Sequence, residues 1–328
     1  MTYKNNCFIL YNSFSFFIFE KKKMKYDIII PVAFRDYPFL KKVIYYIEKF
    51  LDADHIYIIT HYDMSCCLPS KVKKNKKCII LDENKIIPDL TSQKVYEYML
   101  KYKFKSPRIG WFLQQFIKMG FALSDYCKND YYLSWDADTI PLTHIDFFNK
   151  EGDPYFSMKY EHNQPYFDTI EKLLHITKIN EHSYIAEHMM FNKKIMQKII
   201  TEINKNEKIK GETWFDKILY ATDPNEESSF SEFETYGNYC FSNYPNLYNE
   251  RQLPSFRCGG FIQGRFISNR ILKNLGLYNL STISFEIYHI PPFPWSLASW
   301  WYNKYTKYFK YKEYVIKKKF NITYYPNQ

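Results

Sequence analysis

The run from Tyr26 to Val32, YDIIIPV, limits more than any other feature what this chain can fold into. Its one charged residue, Asp27, is followed by three consecutive isoleucines, so both alternating faces are apolar. A segment of this kind has to be covered on both sides, as a strand of a parallel sheet is when helices lie over both faces. From Phe39 to Phe50 the apolar residues change to helical spacing, with Leu40, Val43, Ile44 and Ile47 on one stripe. Two further β-rich runs follow, His55 to Thr60 and then Cys78 to Leu81 before Asp82. Strand, helix and strand in this order predict parallel pairing through right-handed crossovers.

Pro107 to Leu123 reads as another helix, with Trp111, Gln114, Gln115 and Lys118 placed along it, and Tyr131 to Trp135 (YYLSW) reads as a strand. That strand delivers Asp136-Ala137-Asp138 at its carboxyl end, the side on which open α/β sheets bind their ligands. Two carboxylates at the end of a buried strand do not serve core stability, because burying unpaired charge is expensive. A hard divalent cation would neutralise them, and Mn²⁺ or Mg²⁺ completes its shell with phosphate oxygens. Such a metal stabilises charge developing on a diphosphate leaving group. The competing reading is structural: both aspartates cap a turn before Thr139-Ile140-Pro141.

Beyond Pro141 the segments shorten and become richer in aromatics, with helical patterns from Asp168 to Ile176 and from Asn192 to Ile203. The stretch from Thr222 to Ser231 has the composition of a loop. There is no internal repeat. The expected fold is therefore α/β, a Rossmann-type and mostly parallel sheet flanked by helices, with a mixed acceptor-binding half. The expected division is an extension over 1–23, a nucleotide-binding half over 24–140, an acceptor-binding and catalytic half over 141–295, and a basic aromatic tail over 296–328. Met24 stands immediately before the first strand and is read as the true start of translation. The apolar stretch from Cys7 to Phe19 is short for a bilayer span of about 20 residues and lacks the marks of a signal peptide, which leaves a short membrane-touching segment as the alternative.

Composition narrows the class further. Hydrophobic residues make up 46% and aromatics 20% of the 328 residues, enough for a full core and too much for a disordered chain. The formal net charge of +10 gathers at Lys21 to Lys25, Lys71 to Lys77 and Lys304 to Lys319. Such runs are solvated faces or are drawn to membrane surfaces; without a nucleic-acid-binding motif, nucleic acid is not expected as a partner. Seven cysteines at irregular spacings, with no Cys-x-x-Cys pair, indicate neither a zinc ribbon nor a disulfide framework. Reduced, buried thiols and a cytoplasmic location are expected. The tail SWWYNKYTKYFKYKEYVIKKKF interleaves aromatics with lysine. As a helix it would lie either at the inner face of the plasma membrane or against the fold with a basic outer side.

The segments DIIIPVAFRDYPFLKKVIYYI, GWFLQQFIKM and YYLSWDADTIPL resemble the GT-A superfamily of nucleotide-sugar glycosyltransferases, and within it are similar to uncharacterised bacterial members thought to act on surface polysaccharides. The resemblance runs from Lys25 to Trp295, with the Asp-x-Asp context as its most specific part. It implies that Asp136 faces the nucleotide ribose and the metal, and that Asp138 is the direct metal ligand. Pro31, Val32, Arg35 and Asp36 would line the nucleotide site, and Asp82 would hydrogen-bond a uracil-type base. Gln114, Gln115 and Lys118 would reach the donor, Lys118 meeting the diphosphate as a point charge. Solvent exposure is the alternative for these helix residues. The donor implied is a nucleoside-diphosphate sugar, UDP-type favoured, and the acceptor a saccharide or lipid-linked molecule.

Three downstream places follow from the same resemblance. SEFETYG puts Glu232 and Glu234 where inverting members carry a general base toward the acceptor hydroxyl. On a strand the two would share a face; on a helix they would diverge. Ordinary surface acids are the alternative. His289, in EIYHIPPFPW, corresponds to a third metal ligand, with a packed core histidine as the alternative. Glu187 and His188, in IAEHMMFNK, resemble an acceptor-binding segment.

Two other function classes compete. A nucleotidyltransferase acting on sugar phosphates would use metal-bound aspartates on a similar sheet, but it would carry a Gly-rich loop after the first strand, and PVAFRDYP has no glycine. A non-enzymatic basic surface binder would be indifferent to loss of Asp136 or Asp138 and would bind with steep salt dependence.

Overall fold

A computed structural model describes residues 24–302, apart from 179, together with 304. The expected extension over 1–23 and the tail beyond 304 lie outside the described residues. The strands are β1 (Tyr26–Pro31), β2 (Ile56–Thr60), β3 (Cys78–Asp82), β4 (Tyr131–Trp135), β5 (Thr139–Pro141), β6 (Tyr155–Ser157), β7 (His188–Asn192), β8 (Asn249–Arg251), β9 (Ser255–Phe256) and β10 (Thr282–Ser284). The helices are α1 (Tyr37–Phe50), α2 (Ser70–Lys73), α3 (Ser92–Lys101), α4 (Ile109–Gly120), α5 (Gln164–Leu174), α6 (Lys193–Lys205), α7 (Trp214–Ala221), α8 (Glu232–Asn243), α9 (Gly260–Gln263) and α10 (Asn269–Leu277).

The main sheet has the order β3-β2-β1-β4-β7. Its first four strands are parallel and β7 is antiparallel to β4. The unbroken apolar run of β1 is explained by its neighbours: Ile29 points into one core with Tyr57 and Ile59, while Ile28 and Ile30 point into the other with Ile56 and Ile58. The first core is roofed by α3, α4, α6, α7 and α8, the second by α1, α10 and the β5–β10 region. On α1, Leu40, Val43, Ile44 and Ile47 form the expected stripe and are all buried, each worth about 1.5–3 kcal/mol relative to exposure.

The two expected halves are fused closely. The strand β7 comes from beyond residue 141 and completes the main sheet, and α6, α7 and α8 share a core with α3 and α4. The thiols differ from expectation: Cys127 and Cys240 are buried, whereas Cys66 and Cys258 are exposed and Cys67 and Cys78 half-buried, and none of these six described cysteines is in a disulfide. Among the described residues no helix is long and apolar enough to cross a membrane.

The loop expected over Thr222 to Ser231 separates α7 from α8, and Ser231 caps α8 by accepting from the Glu234 N–H at 3.2 Å. Gly237 on α8 is needed for packing: a Cβ there would meet the Tyr184 ring at 2.2 Å. Helix and ring can approach this closely only with no side chain at 237.

Candidate functional site

The chain leaves β1 toward β2 and β3 and returns to β4 on the opposite side of β1. The crevice beyond the carboxyl ends of β1 and β4 is thus the topological switch point, where open α/β sheets bind ligands. After β1 the chain turns through a short 3₁₀ helix, Phe34–Asp36, before α1. Pro31 and Val32 are buried there, the Val32 carbonyl accepting from the Thr60 hydroxyl at 3.0 Å, while Arg35 is exposed. Asp36 is buried and forms an ion pair with Arg265, Nη1 to Oδ1 2.6 Å.

After β4 the Asp136 N–H donates to the Glu187 carbonyl at 3.0 Å, continuing the ladder with β7 by one residue. The Asp136 side chain keeps 34% of its surface exposed, and its Oδ1 accepts from Lys118 Nζ at 2.8 Å. The same ammonium donates to Glu232 Oε1 at 2.8 Å and lies 4.4 Å above the Phe233 ring. Burial opposes the charge on Lys118, but Asp136 and Glu232 outweigh it and hold the lysine firmly protonated. This corrects the expectation that Lys118 meets a diphosphate: its ammonium is already shared between two carboxylates inside the protein. Gln115 is also directed inward, its Oε1 accepting from the Glu232 N–H at 3.2 Å, whereas Gln114 is half-buried on the neighbouring face.

Asp138 has no side-chain hydrogen bond or ion pair among the described residues. Its backbone carbonyl accepts from the Phe285 N–H at 3.0 Å, extending the antiparallel β5–β10 pair and bringing Glu286 into the crevice. The Asp138 carboxyl is raised well above the usual carboxylate range, first by burial and then by repulsion from Glu286, Asp136 and Asp36, against which Arg265 acts. Glu286 is raised for the same reasons: burial, then Asp136, opposed by Arg257 and Arg265. Carboxylates of Asp36, Asp136, Asp138, Glu187, Glu232 and Glu286 thus gather around Lys118, Arg257 and Arg265, an excess of negative charge at the mouth of the sheet.

Glu187 and His188 diverge. Glu187 is 3% exposed, and its carboxylate has no hydrogen-bond partner on either oxygen; the Arg257 Nε stands 3.1 Å from Oε1 as an ion pair without hydrogen-bond alignment. Burial raises its pKa against the pull of Lys159 and Arg257. His188 instead lies in the core, corrected from an acceptor-facing position. Its ring stacks on Trp135 at 5.0 Å and 19°, and Nε2 meets the Ser157 hydroxyl at 3.1 Å.

Glu232 and Glu234 stand in the first turn of a helix and therefore diverge. Glu232 is buried and shares the Lys118 ammonium with Asp136. Glu234 is immersed in the fold, accepting from the Ser183 hydroxyl at 2.5 Å, the Tyr184 N–H at 3.2 Å and Asn238 Nδ2 at 2.9 Å. Glu234 is fully buried and both its oxygens already accept hydrogen bonds from the protein, which places it away from the expected catalytic position. Asp82 ends β3 and closes the next turn, its Oδ1 accepting from the Asn84 N–H at 3.1 Å with Lys85 3.6 Å from the other oxygen. His289 packs its ring on Phe261 at 4.4 Å, with Nδ1 lacking a hydrogen-bond partner. Among the described residues no group of three or more His, Cys, Asp and Glu side chains is closed around a common metal position.

Sequence reasoning missed Glu286, Arg257 and Arg265. A signal was present: four of the six arginines in this lysine-rich chain, Arg251, Arg257, Arg265 and Arg270, fall within twenty residues. Where lysine is so abundant, arginine at a buried ion pair reflects its planar, weakly hydrated fork.

A family model described as "Family of unknown function (DUF6492)" matches residues 5–253. No curated protein matches the sequence. Among solved structures, mouse xyloside xylosyltransferase 1 in its apo form is similar at a TM-score of 0.42 and 9% identity, over 82% of this chain and 99% of that one. The galactosyltransferase LgtC with donor and acceptor sugar analogues is similar at 0.38 and 10%, over 86% and 95%. The apo glycosyltransferase GlyE of Streptococcus pneumoniae TIGR4 stands at 0.38 and 10%, over 85% and 60%. These likenesses are distant.

Proposed function

The chain belongs to this family of unknown function, DUF6492, and from its acidic switch point we propose that it is a metal-dependent glycosyltransferase that moves a sugar from a nucleoside-diphosphate donor, UDP-type favoured, to a saccharide or lipid-linked hydroxyl. The observation that carries the reading is the position of Asp136 and Asp138 directly after the carboxyl end of β4, beside β1 at the switch point, with Asp138 unpaired among the described residues.

The donor set fits a hard divalent cation. It consists of carboxylate oxygens, and the charge that Asp138 and Glu286 press on each other is what such a cation would relieve. Asp136 and Asp138 would hold Mn²⁺ or Mg²⁺, with the remaining positions left to ligand oxygens and water. That share suits ions usually bound by one or two carboxylates plus phosphates. Bound there, the metal supplies charge neutralisation for a diphosphate leaving group.

The protein's own residues supply placement and proton transfer. Lys118 fixes Asp136 through Oδ1, and about a third of the Asp136 side chain, 34%, stays exposed for a ligand. Of the two acids of SEFETYG, Glu232 is the one joined through Lys118 to Asp136, and we assign it the acceptor proton. Glu187, buried with both oxygens unbonded, accepts a hydrogen bond from a sugar hydroxyl. The Gly-free turn over 33–36 offers no glycine loop to wrap a triphosphate, which sets the nucleotidyltransferase reading aside.

The test is a melting-temperature and donor-hydrolysis panel with Mn²⁺ and UDP- or GDP-sugars. A stabilising shift with one donor class, dependent on metal and lost in Asp138→Asn, is expected. No shift with any donor, or a shift untouched by Asp138→Asn, would overturn the reading.

A further inference from the structure

A cleft of about 600 Å³ lies between α5 and the chain at 177–181. Its walls carry His162, Gln164, Glu171, Lys178, Asn180 and Glu181. Hydrogen-bond acceptors predominate there. Glu171 and Glu181 are exposed carboxylates. Asn180 Oδ1 is buried without a hydrogen-bond partner, while its Nδ2 donates to the Tyr184 hydroxyl at 2.8 Å. The Lys178 ammonium is already engaged, donating to the His182 carbonyl and lying 4.4 Å from the Phe167 ring. On the same phenylalanine stacks the exposed His162 ring, the centroids 5.0 Å apart at 30°.

The cleft borders the acidic crevice. Arg257 pairs through Nε with Glu187 at 3.1 Å, and through Nη1 with Glu161, the residue before His162. Asn163 Nδ2 donates to the Ser228 carbonyl at 3.1 Å, which ties the start of α5 to the segment leading into α8. Within α5, burial raises the pKa of the Tyr166 hydroxyl, and the charge of Glu232 adds to the rise. The chain over 161–167 therefore reaches from Glu187, unbonded on both oxygens, and from Glu232 to the wall of the cleft.

We propose that this cleft is a second saccharide subsite, holding a neutral, hydroxyl-rich unit of an oligosaccharide acceptor beyond the unit that receives the transferred sugar. The inference rests on the transfer reading and narrows its acceptor to an oligosaccharide. Walls rich in acceptors need a ligand that brings donors, and each sugar hydroxyl brings one. Asn180 Oδ1 gains from such a ligand the bond that its burial leaves unmade. The flat His162 ring suits the apolar C–H face of a pyranose. Two carboxylates against one ammonium decide against a phosphate or a second nucleotide in the cleft. The volume lies within the usual range of small-molecule sites, about 300–1,000 Å³.

The experiment is saccharide binding by the full chain in EDTA without nucleotide, repeated with Mn²⁺ and UDP. The probes are a glycan array of neutral oligosaccharides, followed by isothermal titration with its strongest ligand and with the monosaccharides that compose it. The oligosaccharide should bind about tenfold more tightly than any of its monosaccharides. The double variant Glu171→Ala, Glu181→Ala removes two acceptors, and Thr177→Trp places an indole in the cleft from an exposed position. Each should weaken binding about tenfold or more while melting at the temperature of the parent. The proposal is overturned if the array stays blank under both conditions, if both variants bind as the parent does, or if a lysine-rich peptide is bound in preference to every saccharide. A blank array beside an intact donor-induced melting shift sinks the subsite alone. Saccharide binding without any donor response sinks the transfer reading, and the acceptor role with it, and leaves a saccharide-binding cleft.

Discussion

The ammonium of Lys118 stands 2.8 Å from Asp136 Oδ1, with the lysine side chain 4% exposed. A cation buried to this degree is committed to its partners, so its removal should be felt as lost stability. Lys118→Met leaves Asp136 and Glu232 without their counter-charge and should cost about 3 kcal/mol or more in urea denaturation. A lysine serving only a diphosphate would behave oppositely, losing nucleotide affinity at unchanged stability.

Glu232 and Glu234 should separate in the same assays. Glu234→Ala strands the Ser183, Tyr184 and Asn238 donors and should destabilise the fold by about 2 kcal/mol or more. Glu232→Gln should keep most of the stability and lower donor turnover to acceptor by about 100-fold. Equal effects of the two changes on turnover at equal stability would show that Glu234 is not merely structural.

Gly237→Ala offers a test of sign. Alanine is worth up to about 1 kcal/mol over glycine inside a helix, which alone would stabilise α8. The new Cβ, however, would fall 2.2 Å from the Tyr184 ring. Overpacking at such a distance should win and give a net loss of about 1–3 kcal/mol by chemical denaturation. A stabilised variant would mean that Tyr184 does not pack on α8.

His188 makes stability fall with acidity. Burial, with Arg251 and Lys159 adding repulsion, pushes its pKa down from 6.5 to about 3. Between those values the unfolded chain binds a proton that the native ring refuses, so stability is complete above pH 6.5 and declines as pH falls toward 3. The slope from this residue is about 1.4 kcal/mol per pH unit. Denaturation midpoints of the parent and His188→Asn across this window should converge in slope difference to that value; identical slopes would exclude the mechanism.

Asp138→Asn should raise the melting temperature of the metal-free protein, since it removes a carboxyl that burial and Glu286 both disfavour in charged form. The same change should abolish the stabilisation given by Mn²⁺ to the parent, a gain that chelation with EDTA reverses. A parent indifferent to Mn²⁺ would remove the metal from the crevice.

Much of the framework is legible in the order of the residues. The isoleucines of β1, the stripe on α1 and the strand YYLSW each carry their own periodicity, and local periodicity reports which faces are buried. Asp136 and Asp138 follow at once, because the strand ends where they begin. By contrast β7 runs directly into α6 through Asn192, which caps that helix, so its pattern merges with the helical one. Glu286 and Arg265 are brought to the crevice only by contacts with residues more than a hundred positions away, as between Phe285 and Asp138.

From the sequence alone come the parallel sheet, its carboxyl end and the two aspartates placed there, because each depends on neighbours along the chain. The tertiary structure alone decided what those aspartates face: Lys118 bound between Asp136 and Glu232, Glu234 withdrawn into the core, His188 stacked on Trp135, and Glu286 pressed toward Asp138. Whether a carboxylate is paired, buried or repelled depends on which distant charges and rings reach it, and no local pattern records that distance.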